Sequence, residues 1–132
     1  FMNTLVLEGQ KYGIKVNALA PAAATRMTTD LGIDEEALDL MTPESVTAGL
    51  LTLCHKDSPN RLILCAGAGG YASTQIYETE GIILPPDEQT PEAIMAQLDG
   101  VTDSAGQKVF QSGAAQSEKF VKKALALRSA LV

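Results

Sequence analysis

The stretch Gly13-Ile-Lys-Val-Asn-Ala-Leu-Ala-Pro21 constrains the fold more than any other. Ile14 and Val16 alternate with polar residues, as in a strand over Ile14 to Ala20. Pro21 closes it, because proline has no N–H to give to a ladder. The preceding residues, Phe1 to Tyr12, read as a helix with Met2, Leu5 and Val6 on one face. Gly13 is its stop, since glycine adopts the left-handed conformation that ends helices. The helix has a clear end and no clear beginning. No Ser, Thr, Asp or Asn caps it from in front, Asn3 would cap only a shorter helix, and Phe1 is not an initiator Met.

Asp34 to Met41 reads as a short helix. Asp34-Glu35-Glu36 answers its dipole and is taken as a helix start, not as a paired-carboxylate site. The best-written helix starts at Thr42, with Pro43 in the first turn, Glu44 after it, and Val46, Gly49, Leu50 and Leu53 as its buried face. Arg61 to Ala66 holds Leu-Ile-Leu-Cys between Pro59-Asn60 and a run of glycines, as a central strand does. Tyr71 to Tyr77 and Gly81 to Leu84 are expected as two more strands, a hairpin around Glu-Thr-Glu. Pro85-Pro86 divides the chain into residues 1–85 and a helical tail, 86–132. In the tail Thr90-Pro91-Glu92 starts a helix that buries Ile94, Leu98 and Val101. Ser104 to Gln116 is expected as a linker. A last helix, Ser117 to Leu131, carries the stripe Phe120, Ala124, Leu127 and Leu131, facing a core or a partner.

Composition narrows the function. The chain has 132 residues, enough for one small domain, and 45% of them are apolar. Aromatics are 5% and Trp is absent, so Ala, Leu, Ile and Val must fill the core, as where helices cover a parallel sheet. Net charge is −6 and the longest basic run is Lys122-Lys123, which argues against nucleic acid as a partner. No apolar run approaches the ~20 residues that span a bilayer, so no membrane partner is expected. The start of the chain shows no secretory signal. Cys54 and Cys65 are expected as buried, reduced thiols of an intracellular protein. A cytoplasmic protein is expected, or a peroxisomal one in a eukaryote, although no C-terminal peroxisomal signal is read. His55 is the single histidine and suggests no metal; it suits the end of the helix from Thr42.

The segment Tyr12-Gly-Ile-Lys-Val-Asn-Ala-Leu-Ala-Pro-Ala-Ala-Ala-Thr25 resembles the short-chain dehydrogenase/reductase family, at the stretch that leaves the active-site helix. Arg26-Met27-Thr28 and Cys65-Ala-Gly-Ala-Gly-Gly-Tyr71 are similar to the hydroxyacyl-CoA dehydrogenase unit of peroxisomal type-two multifunctional enzymes and bacterial relatives. The likeness is close over residues 1–85 and loose in the tail. It implies an α/β fold: the C-terminal part of a Rossmann-like doubly wound parallel sheet, with an added β-hairpin and a helical tail. It implies that Pro21, Ala22, Ala23, Ala24 and Thr25 hold the nicotinamide of NAD or NADP, since ligands of such folds lie at the carboxyl ends of the strands. Small side chains let a ring approach, and a Thr hydroxyl both donates and accepts. The segment Arg26 to Met41 would cover the substrate, with Arg26, Met27 and Leu31 in contact with an acyl-CoA. The family pattern has Gly after the Pro and a longer spacing to Thr; here Ala22 takes that place and the loop is shorter.

The catalytic residues are not expected in this chain. The family sets a Tyr and a Lys four residues later on one helix face. Tyr12 and Lys15 are three apart with Gly13 between them, and Tyr71 and Tyr77 have no such Lys. The pair, the catalytic Ser and the phosphate loop would lie before Phe1. Gly67-Ala-Gly-Gly70 does not replace that loop, because a dinucleotide loop leads into a helix and this run leads into a strand. It reads as a tight crossing with close backbone contact. Two functions remain: a piece of a dehydrogenase, partnered by its missing N-terminal portion or by a second copy, or a non-catalytic oligomerisation module using the helices from Phe1 and Thr42. The isolated chain is expected to turn over no substrate with NAD or NADP, read as absorbance of the reduced cofactor. Turnover by a purified, mass-verified sample would overturn this.

Overall fold

The computed structural model describes residues 1–28 and 31–130. Leu131, the end of the predicted stripe, lies outside them. Two compact units follow one another, Phe1–Gln75 and Ile76–Val132.

In the first unit α1 spans Met2–Gly9 and continues as a 3-10 turn over Gln10–Tyr12, ending at Gly13 with φ 67°. The expected face is the inner one. Val6 is only 4% exposed and Met2 and Leu5 are half-buried, while Phe1, Leu7 and Tyr12 point to solvent. Strand β1 is Ala18–Pro21, shorter at its start than expected. The reason lies in the bonds of the residues before it. Val16 N–H donates to Asn60 Oδ1 (2.7 Å) and its carbonyl accepts from Arg61 N–H (2.9 Å). The Asn17 amide donates to the Pro59 carbonyl (2.9 Å) and accepts from Leu62 N–H (2.8 Å). Side chains therefore replace ladder bonds there. Arg61 takes a φ of 69° at this corner.

Helix α2 is Glu35–Leu40 and α3 is Pro43–Cys54. Thr42 caps α3 by position only, without a side-chain bond. Strand β2, Ile63–Gly67, runs parallel to β1, with Ala18 opposite Ile63 and Pro21 opposite Ala66. The crossover through α3 sits tightly on this pair: a methyl at Gly49 would lie 2.9 Å from Ala66 Cβ. Gly49 is buried, Val46 and Leu53 are half-buried, and Leu50, expected inside, is 47% exposed.

A hairpin is present, but it joins other strands than the pair expected around Glu-Thr-Glu. Strand β3, Gly70–Thr74, pairs antiparallel with β2, giving the sheet order β1-β2-β3. Its turn is Ala68-Gly69, with φ 50° and 76°. Two positive φ values are what a two-residue hairpin with right-handed strand twist demands. Gly81 to Leu84 is not a strand.

In the second unit Glu78 and Lys108 exchange backbone bonds of 2.9 and 3.0 Å. That pairing gathers residues 76–85 into this unit, so the division falls before Pro85-Pro86. The expected tail helix is two helices, α4 (Pro91–Ala96) and α5 (Leu98–Thr102), broken at Gln97. Ile94 and Leu98 stay 44% and 41% exposed, and Val101 is half-buried. Thr90 caps α4 by accepting from Ala93 N–H at 3.2 Å. Helix α6 starts at Gly113, ahead of Ser117, and runs to Ala130, which shortens the expected linker.

The α6 side turned to its own unit carries lysines. Lys119 pairs with Glu78, donates to the Thr79 carbonyl (2.9 Å) and lies 4.5 Å from the Phe120 ring centre. Lys123 donates to the carbonyls of Glu80 (2.6 Å) and Gly81 (3.1 Å), and Lys108 pairs with Glu80 at 2.9 Å. Of the predicted stripe only Leu127 is half-buried; Phe120 and Ala124 are exposed. Lysine stems take the inner positions because their ammonium groups find carboxylates and carbonyls there.

The hydrogen bond from Lys119 holds the Glu78 carboxyl below its ordinary value of 4.5, and that from Lys108 does the same for Glu80. Their folded pKa values lie below the unfolded ones. The stability they contribute is therefore present above pH 4.5 and is lost as pH falls through the folded values. Unfolding followed by circular dichroism should show α6 loosening at lower denaturant as pH drops below 4.5. Glu78→Gln with Glu80→Gln should flatten that dependence, and an unchanged pH profile in the double variant would refute the clamp.

Candidate functional site

The loop predicted to meet the nicotinamide leaves the carboxyl end of β1 beside the carboxyl end of β2. Pro21 is the last residue of β1, and Ala22 N–H extends the ladder by donating to the Ala66 carbonyl at 2.8 Å. The loop is pressed against the sheet there: a methyl at Gly67 would lie 2.5 Å from the Ala22 carbonyl oxygen and 2.8 Å from its Cβ. The close backbone contact expected of the glycine run is found at this residue.

Most of the loop's donors are already used. Ala24 N–H donates to the Met41 carbonyl at 2.6 Å, which ties the loop to the residue after α2. Thr25 N–H donates to Thr28 Oγ1 (2.8 Å), Thr28 Oγ1 donates to the Thr25 carbonyl (2.7 Å), and Thr25 Oγ1 accepts from Met27 N–H (3.2 Å). Ala23 N–H has no acceptor among the described residues. The loop thus offers one open amide donor, that of Ala23, and three small side chains, at the end of a parallel strand.

The residues expected at the substrate are exposed beside it. Arg26 and Met27 lie in the turn after Thr25, Met27 being 89% exposed, and Leu31 is 66% exposed. A cleft of about 530 Å³ opens next to the loop, lined by Ala20, Ala22, Met41, Cys65, Gly67 and Tyr71 among others. Met41 ends the segment expected to cover the substrate, whereas Cys65 and Tyr71 were not singled out from the sequence for a site. Cys65 belongs to the β2 run, and Tyr71 follows the hairpin turn that was read as a crossing. Tyr71 is fixed by its hydroxyl, which donates to the Ser45 carbonyl at 2.8 Å.

The remaining chemical side chains have structural partners. Lys15 Nζ donates to the carbonyls of Lys56 (2.7 Å) and Ser58 (2.6 Å), and Tyr12 lies under Lys11. His55 follows α3 as expected, its Nδ1 accepting from Asp57 N–H at 3.1 Å. Cys65 is half-buried with Sγ 2.9 Å from Thr74 Oγ1, but Cys54, expected to be buried, is exposed near the end of α3. Both thiols are free. The described residues hold no group of three or more metal-ligating side chains.

No family model matches the chain. It is 38% identical over 111 residues to a protein of Mycobacterium tuberculosis named as a short-chain type dehydrogenase/reductase, a match covering 82% of this chain and 37% of that protein. It is 39% identical over 106 residues to the peroxisomal hydratase-dehydrogenase-epimerase of Neurospora crassa, covering 78% of this chain and 12% of that enzyme. Peroxisomal multifunctional enzyme type 2 of Mus musculus is 34% identical over 104 residues, 14% of its length. The chain therefore spans about a third or less of these relatives. Matches of this length cannot be contained in residues 1–85, so the likeness reaches into the tail. Full-length peroxisomal multifunctional enzyme type 2 of Drosophila melanogaster has the same fold over 96% of this chain and 23% of its own, with a TM-score of 0.76 at 23% identity.

Replacing Gly67 with Ala must move the Ala22 carbonyl. The variant should lose roughly 1–3 kcal/mol of stability in chemical denaturation and shift the Ala22 to Thr25 amide resonances. Ala68→Gly, in a turn that favours glycine, should leave both unchanged. A Gly67→Ala chain as stable as the parent would mean that the loop is not seated on β2.

Proposed function

We propose a function for a chain that belongs, over the stretch shared with its relatives, to the short-chain dehydrogenase/reductase family: it forms the nicotinamide-side wall and the substrate cover of an NAD(P)-dependent dehydrogenase. The observation that carries this is the loop from Pro21 to Thr25, fixed at the end of a parallel strand, with Ala23 N–H open and small side chains on each side. A carboxamide needs a donor for its oxygen and an acceptor for its amine, and Ala23 N–H and Thr25 Oγ1 are of those types. NAD or NADP supplies the hydride chemistry when bound. The chain's own residues position the ring: Gly67 lets the loop sit on the sheet, and Met41 and Thr28 hold its far end. Arg26, Met27 and Leu31 extend from the loop to cover the substrate.

The substrate class proposed is a 3-hydroxyacyl-CoA, on the resemblance of Arg26-Met27-Thr28 and of the run from Cys65 to Tyr71 to hydroxyacyl-CoA dehydrogenase units; the name of the Neurospora crassa relative prints a dehydrogenase. The exposed apolar side chains at 27 and 31 suit an acyl chain, and Arg26 suits the phosphates of a CoA. The proton-transfer pair and the pyrophosphate site are proposed to come from a portion that precedes this one in the working enzyme, in the peroxisome or outside it. A second reading, an oligomerisation module without catalysis, is favoured by α3, where Leu50 and Leu51 are 47% and 64% exposed.

A wall without a pyrophosphate site should bind NAD only in the millimolar range, near −4 kcal/mol. Titrating NAD to about 10 mM should move the amide resonances of Ala22 to Thr25 and leave those of α6 in place. ADP-ribose, which lacks the nicotinamide, should not move them. Micromolar affinity in calorimetry, or a loop indifferent to NAD, would overturn the assignment.

A further inference from the structure

Helix α6 is turned against the usual rule for a surface helix. Its half-buried positions recur every four residues: Ala115, Lys119, Lys123 and Leu127. The two lysines are drawn inward by Glu78, Glu80 and three carbonyls. That leaves apolar side chains outside, Val121 at 57% exposed and Leu125 at 47%. Glu118 and Arg128 lie exposed on the same line. Positions 118, 121, 125 and 128 follow the alternating three- and four-residue steps of a coiled-coil seam. Val121, Ala124, Leu125 and Arg128 also wall an apolar groove of about 300 Å³, closed on its other side by Leu84 and Pro85.

We propose that this seam is a homotypic docking surface, through which two copies of the chain pair by antiparallel packing of α6 about a two-fold axis at position 123. In that register Val121 faces the partner's Leu125, and by symmetry Leu125 faces the partner's Val121. Glu118 faces the partner's Arg128 at each end. The charges choose both the occupant and the direction. An anion at one end of a short seam and a cation at the other make the helix complementary to itself reversed. A parallel pair would set like charges against each other at both ends. A small apolar anion would use Arg128 and leave Glu118 without purpose. Glu118 already meets Lys122 at 2.8 Å, but both side chains are largely exposed, so that pair holds it weakly and leaves oxygen lone pairs for a second cation. Arg128 has no ion pair among the described residues. Ala124 beside the seam lets the backbones approach.

Sedimentation equilibrium of the 132-residue chain between about 10 µM and about 1 mM should show a monomer–dimer equilibrium. Glu118→Arg or Arg128→Glu alone turns two attractive contacts per dimer into repulsive ones. Each should weaken association about tenfold. The double exchange, Glu118→Arg with Arg128→Glu, restores opposite charges and should recover the parent's dissociation constant. Unchanged circular dichroism and melting in all three variants shows that α6 is intact. A chain that stays monomeric, single variants that associate like the parent, or a double exchange that stays weak would each overturn the proposal. So would decanoate, used as an apolar anion, binding the monomer in an Arg128-dependent way and blocking association.

Discussion

The close seat of α3 on β2 is the constraint on which the first unit rests. A helix that joins two neighbouring parallel strands must lie across them, and its distance is set by the smallest side chains at the contact. Here those are Gly49 and Ala66, and a methyl on Gly49 would already lie 2.9 Å from Ala66 Cβ. With the helix that close, Leu64 and Tyr71 reach it from β2 and β3, and the Tyr71 hydroxyl finds the Ser45 carbonyl. The corner before β2 is equally tight, and the side chains of Asn17 and Asn60 take over the backbone bonds that the strands cannot make there. Register follows from these contacts, and with it the position of the loop after Pro21.

The apolar interior is small for so much regular structure. Among the described residues Val6 and Ala66 are the only buried apolar side chains. Aliphatic groups of the first unit lie in solvent instead: Leu7 on α1, Leu50 and Leu51 on α3. These are ordinary core residues of helices laid on a sheet. Their exposure fits a chain that spans a third or less of the relatives it matches.

The sequence was most legible where one residue type has one physical use. Gly13 ends a helix with positive φ, Pro21 ends a strand, and Thr90-Pro91 starts a helix with a side-chain cap. It was least legible where the use depends on a distant partner. The glycines at 67–70 serve two ends at once: Gly67 lets Ala22 approach, and Gly69 turns the hairpin with Ala68. Only the first was foreseen, so β3 was paired with the wrong neighbour. Lys119 and Lys123 lie off the stripe predicted for α6, because nothing near them in sequence announces Glu78 and Glu80 some forty residues away. At the site, the loop from Pro21 to Thr25 was visible through its likeness to a family. The cleft residues Met41, Cys65 and Tyr71 come from three separate elements, and no local pattern joins them.

The loop from Pro21 to Thr25 is held by its own hydrogen bonds. Ala22, Ala24 and Thr25 spend their N–H groups on Ala66, Met41 and Thr28. Here the shape is set by the sheet, by the residue after α2 and by a local Thr–Thr turn, and a single amide, that of Ala23, is left over. Ordering such a loop costs little at the moment of binding, because the ordering is done during folding. The shape therefore depends on the sheet being intact.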